Sequence, residues 1–156
     1  MCLICERIGM IKENENEYFV AELETGYVVI GDHQYFEGYT IFLCKTHVNE
    51  LHLLEKNIRK LYLEEMSIVA EAVYNAFKPD KLNYELLGNG DSHLHWHIFP
   101  RRLNEPNPKW PVWVTDPAIM FSDEVRPKET QLKNLKRTLY NELVRTGAVI
   151  KISDEL

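Results

Sequence analysis

The amino-acid sequence predicts an α+β fold: a mainly antiparallel five-stranded sheet with one long helix and a C-terminal helix. Short runs of β-branched and aromatic residues joined by tight-turn signals fill much of the first hundred positions, without the strand–helix alternation of a parallel sheet. Two longer stretches instead place apolar residues at spacings of three and four, as a helix with one buried stripe requires. At 156 residues, with 45% hydrophobic and 27% charged residues, the chain has the size and composition of one ordinary globular domain.

Taken in order, Tyr18–Glu24 and Tyr27–Ile30 flank Thr25-Gly26 and read as a hairpin, and Tyr39–Cys44 reads as a third strand. From about Asn49 to Phe77, Leu51, Leu54, Ile58, Leu61, Tyr62, Met66, Val69, Val73 and Phe77 mark the long helix, which Pro79 ends. Leu82–Leu87 is a fourth strand, Asn89-Gly90 a turn, and His93–Phe99 a fifth strand. Residues 101–126 are rich in proline, hold Trp110 and Trp113 and show no period, so an ordered irregular segment is expected. Leu132, Leu135, Leu139 and Leu143 then mark the C-terminal helix, with Gly147 at its end. The expected organisation is one domain over 1–156, with a core in about 1–102 and the irregular segment and helix in 103–156.

Eighteen Lys plus Arg against 24 Asp plus Glu give a formal charge of −6, and no dense basic run interrupts it, so binding to nucleic acid or to an anionic membrane is disfavoured. No stretch has the length of a membrane-spanning helix, and the first residues lack a basic segment followed by an apolar run. A cytoplasmic protein is expected. Ser153-Asp154-Glu155-Leu156 has a superficial likeness to a retention signal, which matters only for a chain that enters the secretory pathway. Three cysteines, Cys2, Cys5 and Cys44, do not make a disulfide framework and point to metal binding or burial.

Half of the six histidines fall within five residues, in Ser92-His93-Leu94-His95-Trp96-His97-Ile98-Phe99. On a strand, His93, His95 and His97 share one face and Leu94, Trp96 and Ile98 the other. Burying three imidazoles without function would demand three sets of hydrogen-bond partners for no gain in packing. Two chemistries fit such a row. It can ligate a catalytic metal, given a further ligand and an open position. Or a neutral imidazole can attack phosphorus while its neighbours hold the phosphoryl oxygens, a task suited to a side chain with an ordinary pKa near 6.5.

The row His93-x-His95-x-His97-Ile98-Phe99-Pro100-Arg101 resembles the signature of the histidine-triad family. The likeness extends to Asn89-Gly90, to Gly38–His47 with its Lys-x-His exit, and to Cys2-x-x-Cys5. This resemblance implies a nucleotide hydrolase or nucleotidyl transferase acting at the α-phosphate, with dinucleoside polyphosphates, nucleoside phosphoramidates or similar adenylylated compounds as substrates. It implies a homodimer with the sheet paired across the two chains. It implies His95 as the nucleophile of a nucleotidyl-histidine intermediate, with His97 and His93 beside it. Asn89 would support the site, and Asp32 would meet the ribose hydroxyls. Family members often carry a Gly-Gln pair before the triad; here Asp91-Ser92 stands there, so Ser92 is the expected substitute at the phosphates. Asp91, if turned inward, would repel a polyphosphate. A nucleotide-binding sensor or scaffold with little turnover is the alternative.

Cys2-x-x-Cys5 is half of a tetrahedral zinc site. Spacing alone completes it with Cys44-x-x-His47. The resemblance completes it with His47 and His93, which would leave Cys44 on a core strand. Either site would hold one structural zinc.

Overall fold

The computed structural model describes residues 2–153, so Asp154, Glu155 and Leu156 of the retention-like ending lie outside the described residues. The strands are β1 (Phe19–Glu22), β2 (Gly26–Ile30), β3 (Thr40–Cys44), β4 (Lys81–Glu85), β5 (His95–Arg101) and β6 (Lys151–Ile152). They form one sheet in the order β4-β5-β3-β2-β1-β6, and every pairing is antiparallel. The α+β antiparallel expectation holds, but the sheet has six strands among the described residues, not five. The sixth is two residues long, too short to show a period, and exists by pairing with Ala21 and Glu22 of β1.

Among the described residues four α-helices accompany the strands: α1 (Leu3–Lys12), which precedes β1, α2 (Lys56–Phe77), a single turn α3 (Pro117–Met120) and α4 (Glu129–Arg145). The sequence reading assigned no element to α1, although Ile4, Ile8 and Ile11 form its buried stripe. Helix α2 begins at Lys56 and not near Asn49. Leu51–Leu53 make a separate 3₁₀ turn, and the Glu55 carboxylate caps α2 by accepting from the backbone N–H groups of Asn57 and Ile58. At its end Lys78 turns left-handed with φ 48°, its N–H donates to the Tyr74 carbonyl, and Pro79 prevents continuation. Gly147, with φ +72°, lies just beyond α4.

The sheet separates two layers. On one face Val28, Ile30, Phe42 and Ile98 pack against Tyr62, Val69 and Val73 of α2 and Leu132, Leu135, Leu139 and Leu143 of α4. A buried carboxylate ties this layer to the β1–β2 turn: Glu65 of α2, 3% exposed, accepts from the backbone N–H groups of Glu24 and Thr25 and from the Thr25 hydroxyl. On the other face α1 covers Phe19, Tyr27, Val29 and Leu43, while Val112 and Met120 from the irregular segment join Phe36, Tyr39 and Phe99. His95 and His97 belong to this second face, where they lie across from Leu43 and Ile41 of β3.

Candidate active site and metal cluster

Alternation along β5 does what the sequence pattern requires. Trp96 and Ile98 turn to the α2 side, and His95 and His97 turn to the other, with their rings 4.6 Å apart at 70°. His93 lies before the first residue of β5, although the pairing persists there through Leu94, whose N–H donates to the Val48 carbonyl and whose carbonyl accepts from Cys44 N–H. The strand therefore starts two residues later than the sequence suggested. The histidine row is divided between a strand and the loop that enters it.

That division gives each imidazole a separate environment. His93 is fully buried and its Nε2–H donates to the Cys44 carbonyl over 2.8 Å, which leaves the Nδ1 lone pair for other partners. Nδ1 lies 3.4 Å from Cys5 Sγ and 3.6 Å from Cys2 Sγ. His95, 6% exposed, donates its Nδ1–H to the His93 carbonyl over 2.6 Å, so its Nε2 holds the lone pair. His97 has its Nδ1 2.5 Å from the Tyr39 hydroxyl. Burial, and to a lesser degree the charge of His95, push His97 down to about 4, so the ring is neutral at neutral pH. Burial is also the largest influence on His93 and lowers it.

Tyr39 was not foreseen in the sequence. Its ring stacks on Phe99 at a centroid distance of 4.2 Å, and burial raises its hydroxyl well above the ordinary value. A side chain on Gly31 would collide with this ring, the added Cβ coming within 2.1 Å of it, so a residue without Cβ makes the space Tyr39 occupies. Gly31 and Tyr39 also pair through their backbones, Gly31 N–H donating to the Tyr39 carbonyl.

The cysteine–histidine half of the site assembles from three parts of the chain. Cys2 stands at the N-cap of α1 and accepts from the Cys5 N–H; Cys5 follows in the first turn, with its Sγ 3.1 Å from His47 Nδ1. Four ligand atoms, from Cys2, Cys5, His47 and His93, lie within 4.8 Å of one another and could hold a metal ion. Cys44 is buried on the opposite face of β3, in the core beneath α2, and is not in this group. Sequence spacing alone could not decide this, because Cys44 and His47 are separated by the end of a strand.

The remaining expected site residues are less tightly gathered. Asp32 follows β2 and forms a bidentate ion pair with Arg7 of α1, with Oδ1 accepting from Nη1 over 2.6 Å and Oδ2 from Nη2. The Asp32 partner holds the Arg7 guanidinium above its ordinary pKa. Ser92 is exposed and its hydroxyl donates to Asn49 Oδ1, while Asn89 is exposed in the connection between β4 and β5. Arg7 was missed because α1 was missed.

The HIT domain family matches residues 12–104, and the chain belongs to this family, which comprises nucleotide-binding hydrolases and transferases. It is 26% identical over 140 residues to Protein hit of Bacillus subtilis (strain 168), covering 83% of this chain and 87% of that protein. Its fold is similar to a histidine triad protein from Marinobacter aquaeolei VT8, with a TM-score of 0.71, 24% identity, and coverage of 81% of this chain and 88% of the other. It is also similar to a zinc-bound histidine triad family protein from Mycobacterium smegmatis, with a TM-score of 0.61, 17% identity, and coverage of 94% and 95%.

Proposed function

We propose that the protein hydrolyses or transfers nucleotides at the α-phosphate through a covalent intermediate on His95. The observation that carries this reading is the bond from His95 Nδ1–H to the His93 carbonyl, which reserves the Nε2 lone pair for attack. Nε2 attacks phosphorus, and the leaving group departs with the electrons of its bond to phosphorus and takes up a proton. Water then breaks the phosphorus–nitrogen bond and restores the imidazole. His97 faces the same side and contacts the phosphoryl oxygens, Ser92 and Asn89 close the site from the β4–β5 connection, and Asp32 receives the ribose hydroxyls. The substrates are dinucleoside polyphosphates, nucleoside phosphoramidates or similar adenylylated compounds.

Cys2, Cys5, His47 and His93 would hold one structural zinc. A tetrahedral zinc with bonds near 2.3 Å to sulfur and 2.0–2.1 Å to nitrogen sets sulfur and nitrogen about 3.5 Å apart. The three sulfur–nitrogen distances of 3.1, 3.4 and 3.6 Å bracket that value. Such a closed site fastens α1 to the loop that enters β5 and has no open position for a reacting water. The whole chain acts as one domain, as a cytoplasmic homodimer paired along β4. No helix among the described residues is long and apolar enough to cross a membrane.

A panel of these substrates, followed by phosphorus NMR or chromatography on wild type and His95→Ala, tests the reading. Release of nucleoside monophosphate by wild type alone supports it. Tight nucleotide binding with no product from any member of the panel would instead favour a sensor or scaffold.

A further inference from the structure

Carbonyl oxygens can only accept, so those of Cys44 and His93 determine which nitrogen of His93 and His95 bears the proton. Among the described residues no carbonyl does this for His97. Its Nδ1 meets the Tyr39 hydroxyl, a group able both to donate and to accept.

The surroundings of Tyr39 remove that ambiguity. The residue is buried, and His97 Nδ1 is the one hydrogen-bond partner of its hydroxyl among the described residues. If His97 Nδ1 were protonated, two donors would face each other unless the hydroxyl turned its own proton away, and that buried proton would have no acceptor. An unmet buried donor costs about 1–3 kcal/mol. The two carboxylates whose charges act on Tyr39, Asp32 and Glu85, make no hydrogen bond to its hydroxyl among the described residues: both oxygens of Asp32 accept from Arg7, and Oε2 of Glu85 has no hydrogen-bond partner. The hydroxyl proton therefore goes to Nδ1.

We propose that Tyr39 is a positioning residue of the triad: it donates to His97 Nδ1 and so fixes His97 as the tautomer with its proton on Nε2. This rests on His95 being the nucleophile and assigns each imidazole a different role. His93 turns a lone pair to the thiols, His95 turns a lone pair to phosphorus, and His97 turns an N–H to a phosphoryl oxygen. Because His97 is neutral at neutral pH, its tautomer alone decides whether it donates to that oxygen or presents a second lone pair beside His95. The stacking of Tyr39 on Phe99 holds the hydroxyl in place.

The test is two-bond proton–nitrogen NMR of protein labelled with nitrogen-15 histidine, at neutral pH and without ligand, for wild type and Tyr39→Phe. The phenylalanine variant keeps the ring that stacks on Phe99 and loses only the hydroxyl. Wild type is expected to show His97 with an unprotonated Nδ1 and a protonated Nε2. Tyr39→Phe is expected to show a mixture of both tautomers and a fall in kcat on adenosine 5′-phosphoramidate of about tenfold to a hundredfold, the scale of a misplaced contact at the reacting centre. A proton on His97 Nδ1 in wild type overturns the proposal and needs no variant to be seen. An unchanged tautomer with unchanged kcat in Tyr39→Phe overturns it as well. If wild type releases no nucleotide from any substrate, the catalytic reading fails, while the tautomer measurement still decides the role of Tyr39.

Discussion

The backbone carbonyl of His93 accepts the Nδ1–H of His95 over 2.6 Å, while the ring of the same His93 faces the thiols of Cys2 and Cys5. One residue thus belongs to the candidate metal cluster through its side chain and to the proposed nucleophile through its main chain. Any shift of His93 shifts the group that sets the tautomer of His95.

Metal removal is therefore expected to act on stability and catalysis together. Purified protein should hold close to one zinc per chain, and Cys2→Ser or Cys5→Ser should lose it, melt earlier and turn over about 10-fold more slowly, as for loss of an outer support of a site. Cys44→Ala should keep the metal, because Cys44 lies in the core under α2. Metal analysis by mass spectrometry with a melting curve checks this. Loss of zinc from Cys44→Ala would reject the ligand set.

His95→Ala should abolish turnover while nucleotide affinity stays within about tenfold, or 1.4 kcal/mol. Removing a covalent nucleophile removes the intermediate itself, whereas losing a general acid or base costs about 10²–10⁴ in rate. Single-turnover kinetics and calorimetric titration with nucleoside monophosphate check both halves. Residual activity near that of wild type would remove His95 from the chemistry.

Much of this site is legible in the sequence because strand alternation is strict. His95 and His97 had to share a face, and Trp96 and Ile98 had to share the other. Alternation alone would place His93 in the same row, and only the family resemblance set it beside Cys2, Cys5 and His47, where its Nε2–H bond to the Cys44 carbonyl holds it in the candidate metal cluster. Tyr39 and Arg7 lay beyond reach for another reason. Tyr39 meets His97 only through the β3–β5 pairing, and Arg7 meets Asp32 only because α1 folds over that face, and neither relationship has a sequence spacing. The isoleucine stripe of α1 was visible, but it is short and begins beside two cysteines that attract a different explanation.

His97 predicts a pH dependence. Its folded-state pKa of about 4 lies below the unfolded value near 6.5, so between those limits the unfolded chain binds the extra proton. Its contribution to stability is complete above pH 6.5 and is lost as pH falls toward about 4, at most about 3 kcal/mol. Urea unfolding of wild type and His97→Asn at pH 7 and pH 4.5 measures it. Wild type should lose more stability on acidification than the variant, and equal losses would show that His97 is not buried in the neutral form.

The β4 edge predicts the oligomeric state. Strand β4 is terminal in the sheet, with Tyr84 and Leu87 exposed at or just beyond it and Ile58, Leu61 and Leu63 exposed on α2. An uncovered edge with apolar neighbours favours pairing with another chain. Sedimentation at micromolar concentration should give a dimer, and Tyr84→Glu should shift it toward monomer. A wild-type monomer would refute the homodimer.

The Arg7–Asp32 pair makes the most discriminating prediction about substrate. Both side chains are mostly buried, at 22% and 18% exposure, so the pair is more than a surface contact, and Arg7→Ala leaves Asp32 with an unmatched charge. Hydrogen bonds to charged groups contribute about 1.5–3 kcal/mol, so Arg7→Ala should cost stability on that scale. The carboxylate has two oxygens and about four acceptor positions, so it can hold Arg7 and still receive a ribose hydroxyl. Asp32→Ala should accordingly raise KM for a ribonucleoside phosphoramidate about tenfold and leave KM for its 2′,3′-dideoxy counterpart nearly unchanged, because only the first substrate has hydroxyls to lose. Arg7→Ala should raise KM for the ribo substrate less than Asp32→Ala does, since it disturbs the carboxylate without removing it. If Asp32→Ala weakens both substrates equally, Asp32 serves to anchor Arg7 and α1 over the sheet, and the sugar is recognised elsewhere.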